Sequence, residues 1–294
     1  MGEGCEIYAR PPSTGRNSTR PLLRAAELAK EETMNSSKSS SSLLLATLLL
    51  PSACAIPSID IIPRYGTMDV SGDYAAKGSS ADLNTAGLQE DDGYIGGRVD
   101  LDMGWPTISF STQTTTHDGT GVLTDTLEVD GVVIPAAAIV NTDLDLSVHN
   151  LCVTYSIVPI PFFDVLDVGL GFGASLIQID ASIQEQAGNF DTINADEDVP
   201  LPTLAARIDL DLGNFEASAL FMGMSLDLGD VAADYYDFDV LAQYKVFGLE
   251  NRFRAAIGLG YRSTAMDFEY EDSGDQIEVN VDLDGPYLAL NFSF

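Results

Sequence analysis

The chain has 294 residues, 45% of them hydrophobic, and a formal net charge of -31. This charge excludes nucleic acid as a partner, because surfaces that bind nucleic acid must be basic. No stretch has the roughly 20 consecutive apolar residues that a membrane-spanning helix needs. Any membrane span would therefore have to be a strand of a closed barrel, in which every backbone polar group is paired.

The first 55 residues are predicted to lie outside the folded domain. Residues 1–33 are interpreted as an upstream extension from a misassigned start, with a genuine cytosolic extension as the alternative. Met34 begins a better start, since Lys38 and a serine run lead into the apolar segment 43–50 and then into Ala53-Cys54-Ala55. This order is typical of a secretory signal peptide with an A-x-A cleavage site. We therefore predict a signal peptide over residues 34–55 and a barrel domain over residues 56–294.

Ten segments of the mature region alternate apolar with polar side chains. Successive side chains of a strand point to opposite faces, so each segment is predicted to be a strand. In the fourth segment the alternation changes parity near Asn150, which predicts a β-bulge there. The predicted strands run over residues 59–70, 94–103, 107–116, 143–157, 165–182, 202–212, 215–228, 236–247, 252–270 and 278–294.

The connections between these strands differ in length. Short turns such as Gly104-Trp105-Pro106 and Gly213-Asn214 join an even-numbered strand to the next odd one, whereas the odd-to-even connections are mostly long and acidic. This asymmetry is typical of outer-membrane barrels, which have short periplasmic turns and long extracellular loops. We predict an all-β, antiparallel, up-and-down transmembrane β-barrel of ten strands, with eight as the alternative and both termini in the periplasm.

The last residues, 287–294, alternate and end on an aromatic residue. They resemble the closing strand of a bacterial outer-membrane barrel, and this resemblance implies that Phe292 and Phe294 form the signal read by the barrel-assembly machinery. Residues 158–170 (VPIPFFDVLDVGL) and 285–288 (GPYL) are similar to a family of small Gram-negative outer-membrane barrel proteins, in the size class of OmpA and OmpW. The resemblance implies a location in the outer membrane, among lipid and lipopolysaccharide. It implies no activity, because a fold does not fix a function.

Most basic residues of the mature region fall on the inferred lumen face, together with aspartates. Narrow barrels of eight to ten strands fill their interior with side chains, and ions in such a space need partners. We predict a closed, ion-paired lumen without a continuous water path; a cation-lined conduit is the alternative. The predicted cluster consists of Arg98, Asp100, Asp102, Asp145, Asp167, Arg207, Asp209, Asp211, Glu216, Asp239, Arg252, Arg254 and Arg262.

The acidic excess lies mainly in predicted loops, at residues 90–92, 125–130, 196–198 and 271–275. Carboxylates at this density could hold divalent cations shared with the phosphates of lipopolysaccharide. No segment has the spacing of a calcium loop, so a solvated acidic surface is the favoured interpretation. No cofactor is expected.

The sequence has two histidines, and one of them precedes an acid, His117-Asp118, at the predicted extracellular end of the third strand. Such a pair could activate a water or a hydroxyl group, as in a surface protease or lipid deacylase. No serine-centred motif accompanies it, and a solvated turn residue is the favoured interpretation. His149 and Cys152 are expected to face the lumen. The favoured function is non-enzymatic: an envelope-structural, surface-interaction or small-apolar-solute role.

Overall fold

The computed structural model describes residues 57–294, apart from 77–78, 84, 86, 89–91, 130–131, 158–164, 189, 191, 228–230, 250–252 and 273–274. The predictions for residues 1–33 and 34–55, and for Arg252, therefore lie outside the described residues. No helix within the described part of the chain is long and apolar enough to cross a membrane.

The described residues form thirteen strands. They are β1 (Ser58–Ala76), β2 (Ser79–Asp82), β3 (Asp92–Asp102), β4 (Pro106–Val122), β5 (Leu127–Val129), β6 (Val132–Ile134), β7 (Ile139–Ser156), β8 (Leu166–Glu185), β9 (Ile193–Asp211), β10 (Phe215–Asp227), β11 (Val231–Leu249), β12 (Phe253–Asp272) and β13 (Asp275–Ser293).

Ten of these described strands form a closed antiparallel ring. The order is β1-β3-β4-β7-β8-β9-β10-β11-β12-β13, and β13 pairs with β1 to close it. Of the other three, β2 pairs with the far end of β1, while β5 and β6 form a separate hairpin. The prediction of a ten-stranded, up-and-down antiparallel barrel is confirmed, and the eight-stranded alternative is wrong.

Both ends of the barrel chain lie at the same end of the ring as the short turns, and we call this the turn end. The backbone N–H of Phe294 donates to the carbonyl of Ile59 at 2.9 Å. Two turns at this end share one chemistry: Asp102 accepts from the N–H of Gly104, and Asp211 from the N–H of Gly213, each at 2.8 Å. These glycines have φ values of 90° and 84°, a region that side chains disfavour and that glycine adopts at no cost. The opposite end is called the loop end.

Several strands extend further towards the loop end than the sequence pattern predicts. β9 begins at Ile193 instead of 202, and β11 begins at Val231 instead of 236. The acidic segment 196–198, interpreted as a loop, is part of β9, where Asp196 pairs with Asp180 of β8. Its carboxylates at 196 and 198 are exposed, so strand pairing satisfies the backbone while the charges stay in solvent.

The apolar side of the strands changes from the outer to the inner face along the barrel. In β8, Leu170 and Phe172 point outward, half exposed, near the turn end. Further along the same outer face come Gln178 and the exposed Asp180, while Ile177 is fully buried inside. The half of the barrel near the turn end therefore has an apolar exterior, and the half near the loop end has a mainly apolar interior, in which Gln113, Thr115 and His117 of β4 are also buried.

This shift of the apolar residues from one face to the other explains why the alternation in β7 changes parity without a β-bulge. Leu144 and Leu146 are buried inside the barrel, whereas Leu151 is exposed on the outside. The pairing through Asn150 is continuous with both neighbouring strands, so the predicted bulge is wrong. The face that carries the apolar residues changes there, and the backbone register does not. His149 faces outward, contrary to expectation, and contacts Thr112.

The apolar interior of the loop-end half is called the upper core. Met68, Leu146, Ile177, Met266 and Leu283 are each at most 2% exposed and belong to one cluster. Burial of such side chains is favourable by about 1.5–3 kcal/mol each. This half of the barrel therefore holds together in the way that the core of a soluble protein does.

Replacement of a leucine on either side of the change in β7 tests this assignment. Leu146→Ala should lower the free energy of unfolding by about 2–5 kcal/mol, because it leaves a cavity in the upper core. Leu151→Ala removes the same atoms from the outer face, where detergent or lipid fills the space, and should cost much less. The comparison is made by urea titration of the folded barrel in detergent. Equal losses in the two variants would contradict the assignment.

Candidate functional site

The barrel interior is the candidate site, and it has three zones. At the turn end lies a polar cavity, called the vestibule. At mid-height lies a set of buried ion pairs, called the arginine layer, which consists of Arg64, Arg98 and Arg262 with Asp237, Asp239 and Tyr287. The upper core fills the remainder.

The vestibule has a volume of about 520 Å³. Two of its wall residues, Asp167 and Asp209, share one cation: Arg207 places its Nη2 3.1 Å from Asp167 and its Nε 2.7 Å from Asp209. The charged wall residues are Asp60, Asp100, Asp102, Asp167, Asp209, Asp211, Glu216, Arg98, Arg207 and Arg254.

A second group of ion pairs lies next to the first, since Glu216 is the strand partner of Asp211 of β9. Glu216 Oε1 is 2.8 Å from both Lys245 Nζ and Arg254 Nη1. Lys245 also lies 3.3 Å from Asp211, next to the turn. Partial burial works against ionisation of Asp211, but the N–H of Gly213 and the ammonium of Lys245 outweigh it, so the pKa of Asp211 lies below its ordinary value. This carboxylate is therefore held ionised at the turn end.

Asp239 is the centre of the arginine layer. Its Oδ2 lies 2.7 Å from Arg64 Nη2 and 3.2 Å from Arg98 Nη1, and its Oδ1 accepts from the hydroxyl of Tyr287. The Arg64 guanidinium also lies 4.7 Å from the centre of the Tyr287 ring. One carboxylate thus holds two arginines and a tyrosine, and charge-assisted bonds of this kind are among the stronger hydrogen bonds in proteins.

Asp237, two residues earlier on β11, forms the second centre. Arg262 donates to it through Nε and Nη2, both at 2.8 Å, which is the bidentate geometry that guanidinium and carboxylate favour. Asn150 and Thr264 also donate to this carboxylate. The Arg262 side chain is fully buried. The three arginines of the layer exceed its two carboxylates by one charge, which Asp100 of the vestibule wall balances through its ion pair with Arg98.

A glycine on the inner face of β12 leaves room for the Tyr287 side chain of this layer. A Cβ atom at Gly260 would lie 2.1 Å from the Tyr287 ring. The ring therefore crosses the inner face of β12 only because residue 260 has no side chain, and it then reaches Asp239. Any larger residue at 260 would displace the hydroxyl from the arginine layer.

The structure brings most of the predicted lumen cluster together. One member is placed wrongly: Asp145 is exposed on the outer face, because β7 keeps a single register. Arg252 lies outside the described residues. The sequence analysis missed Arg64, Asp60 and Asp237, although each has the same parity along its strand as an inward neighbour. The inward members are Arg98, Asp100, Asp102, Asp167, Arg207, Asp209, Asp211, Glu216, Asp239, Arg254 and Arg262.

His117 and Asp118 do not form a pair. His117 is fully buried inside the barrel, with Nε2 2.7 Å from the hydroxyl of Thr115. Asp118 is the next residue of the same strand, so it points to the opposite face, where it is exposed. The two side chains of the alternative catalytic pair therefore lie on opposite faces of the strand. The favoured interpretation of His117 as a solvated turn residue is wrong, because His117 is buried within β4. Cys152 is buried and faces inward.

The outer face of the loop-end half of the barrel is acidic. Asp145, Asp180, Asp196 and Asp198 are exposed there, and all six lysines and arginines of the described residues point inward. No group of three or more His, Cys, Asp or Glu in the described part of the chain is arranged to hold a metal ion. The acidic residues 90–91 and 130 lie outside the described residues, as do the side chains of 271–275.

The fold and interior define the class of this protein: a ten-stranded antiparallel β-barrel whose lumen holds a polar cavity, buried ion pairs and a mainly apolar core. No protein-family model matches the chain, and no curated protein matches it in sequence.

Solved structures with a similar fold include the outer membrane protease OmpT from Escherichia coli. That match has 13% identity and a TM-score of 0.47, and it covers 83% of this chain and 100% of that one. The chain is also similar to Ail, the attachment invasion locus protein of Yersinia pestis, with 9% identity and a TM-score of 0.35 over 82% and 100% of the two chains. A FadL homologue of Pseudomonas aeruginosa matches with 10% identity and a TM-score of 0.31 over 83% and 91%. Likenesses this distant transfer no activity, ligand or partner.

Removal of Arg262 should be the most damaging single change in the arginine layer. Arg262→Ala leaves the carboxylate of Asp237 buried without its cation, which should lower the free energy of unfolding by about 3–5 kcal/mol. Arg254→Ala should cost clearly less, because the Arg254 side chain is 33% exposed and Glu216 keeps Lys245. Thermal unfolding followed by gel mobility measures both variants. The double variant Arg262→Met with Asp237→Leu should recover most of the loss. Equal losses in the two single variants would contradict this account.

The outer acidic face predicts a pH dependence. Asp267 lies on the outer face of β12, where partial burial and the neighbouring carboxylates of Asp234 and Glu269 raise its pKa above 3.8. The folded chain then binds this proton more readily than the unfolded chain, so this group's contribution to stability increases as the pH falls through the raised pKa. Asp267→Asn removes this difference. At about pH 7 the variant should unfold about one or two degrees higher than wild type, and the gap should narrow towards about pH 4.

Asp125→Asn provides the matched control, because it removes the same formal charge from an exposed connection. Over the same pH range, the melting temperature of Asp125→Asn should stay closer to that of wild type than the melting temperature of Asp267→Asn does. A gap between Asp267→Asn and wild type that widens on acidification would refute the assignment.

Proposed function

We propose that this protein is an integral outer-membrane β-barrel with a closed lumen and a non-enzymatic, envelope-structural or surface-interaction role. The observation that carries the proposal is the apolar band, which surrounds the outside of only the turn-end half. Both termini of the barrel and the short turns then lie in the periplasm, and the acidic half projects from the cell.

The height of the apolar band fits a membrane. On β8 the outward residues run apolar from Val168 to Leu176, which corresponds to a band about 20 Å tall at a rise of about 3.3 Å per residue and a tilt of about 40°. Outer-membrane barrels have apolar bands of about 25 Å. The whole of β8 has 20 residues and extends about 50 Å on the same basis, so roughly half of it would stand beyond the lipid.

Aromatic residues mark both edges of the band, as expected at membrane interfaces. Towards the loop end, Tyr65 and Tyr261 point outward, and the polar residues Thr67 and Ser263 follow them on the outer face. Near the turn end, Phe253 packs against Phe247, Phe292 and Phe294, with the ring centres of Phe253 and Phe294 5.3 Å apart. Phe292 and Phe294 therefore lie on the outer wall, where the barrel-assembly machinery could read them.

A structural or surface role fits the interior better than transport. The arginine layer crosses the lumen at mid-height, and the upper core fills the space above it with apolar side chains. Outside, the projecting half presents carboxylates to its surroundings. Contact with the phosphates of lipopolysaccharide would then require bridging divalent cations, because like charges repel.

A charge placed on either half of the outer face of β8 tests the proposal. Leu170→Arg puts a cation inside the apolar band and should cost about 2–4 kcal/mol in lipid, whereas Gln178→Arg lies beyond the band and should cost almost nothing. The readout is the folded fraction after refolding into lipid vesicles, measured by heat-modifiable migration. Planar bilayers containing wild-type protein should show no steady conductance. Equal folding of the two variants would refute the membrane band, and a steady ion current would refute the closed lumen.

A further inference from the structure

The vestibule has more negative than positive charge. Seven carboxylates line it, against the guanidinium groups of Arg98, Arg207 and Arg254. Lys245 adds one ammonium group near Glu216, and Arg98 also serves Asp239 above the cavity. The internal ion pairs therefore leave the cavity with a net negative charge.

A buried amide on the cavity wall supplies a second, independent observation. Asn291 lines the vestibule and is only 3% exposed. Its Nδ2 donates to Gln243 Oε1 at 3.2 Å, and Gln243 Nε2 donates to Glu216 Oε2 at 2.8 Å. Because an ionised carboxylate only accepts, this chain of donors has one possible direction. It leaves Asn291 Oδ1 as a buried acceptor that has no hydrogen-bond partner among the described residues.

Two further acceptors point to the same kind of ligand. Asp100 pairs with Arg98 through Oδ2, but its buried Oδ1 also has no partner among the described residues. Asp102 accepts from the backbone of Gly104, and no described cation lies within ion-pair distance of it. Buried polar groups usually have a partner. The oxygens of Asn291, Asp100 and Asp102 accept hydrogen bonds, so a matching ligand donates, and the net negative charge of the cavity favours a positive ligand.

The chemistry of the ligand follows from these requirements and from the shape. An ammonium group offers three donors and no acceptor. The carboxylates come from five strands, β1, β3, β8, β9 and β10, so one compact ion would reach few of them. A volume of about 520 Å³ lies in the range of small-molecule sites. A short aliphatic chain with several separated ammonium groups fits both the spread of charge and the space.

We propose that the vestibule binds a short aliphatic polyamine. Its ammonium groups contact Asp102, the free oxygen of Asp100 and Asn291 Oδ1. That the vestibule opens to the periplasm rests on the proposed function, whereas binding itself does not.

The test is calorimetric titration of spermidine into the folded full-length protein in non-ionic detergent at low salt. Wild-type protein should bind it saturably. Asp102→Asn should weaken binding by about tenfold or more, because a hydrogen bond to a charged group is lost. This change leaves no described cation unpaired, so the fold should persist, which heat-modifiable migration checks.

Asp145→Asn is the matched control, since it removes the same charge from the exposed outer face and should leave the affinity unchanged. Equal weakening in both variants would mean general attraction to an acidic surface and would overturn the site. Absence of saturable binding, or displacement of spermidine by an equal concentration of magnesium, would overturn it as well. These outcomes are read in detergent, so they are distinct from failure of the membrane-insertion test.

Discussion

The ion pairs of the arginine layer are the interaction on which the rest of the interior depends. Each of the three buried guanidinium groups at mid-height needs a carboxylate within ion-pair distance, and Asp237, Asp239 and Asp100 supply these carboxylates. The hydrogen bonds of this layer cross the lumen between the polar vestibule and the mainly apolar upper core. The layer thereby ties opposite walls of the barrel together next to Leu146 and Ile177, whose burial stabilises the loop-end half.

The two halves of the barrel place their apolar and charged side chains on opposite faces of the wall. Near the turn end, the strands place apolar side chains outside and fill the inside with ion pairs. Near the loop end, they place carboxylates outside and pack an apolar core inside, so that this half is stable in water. The same hydrogen-bonded strands run through both halves. Because successive side chains point to opposite faces, the apolar residues of a strand can move from the outer to the inner face without any change of register. In the proposed orientation, the loop-end half projects beyond the membrane.

Charge is sorted by sign between the faces of the wall. The described lysines and arginines all point inward, where they match the carboxylates of the lumen, and the remaining acids cover the projecting exterior. This arrangement concentrates negative potential on the outside while the interior stays close to neutral at mid-height. Surfaces with an excess of one charge attract ions of the opposite sign, which is the basis of the proposed binding in the vestibule.

The sequence by itself determined the strand count, the closed antiparallel ring and the positions of the short turns. Alternation and glycine turns are local properties of the sequence. The alternation of Leu170 with Gly171, for example, indicates a strand without knowledge of the strands that pair with it. The sequence also placed most of the lumen cluster on the inward face. It did not determine which face of the wall carries the apolar residues in each half of a strand, because an apolar residue gives the same alternation on the outer face as in an inner core. The bulge at Asn150 and the inward placement of Asp145 were wrong for that reason. Only the tertiary structure decided that Arg64, Arg98 and Tyr287 converge on Asp239, since ring closure and shear bring together residues up to 175 positions apart that no local pattern connects.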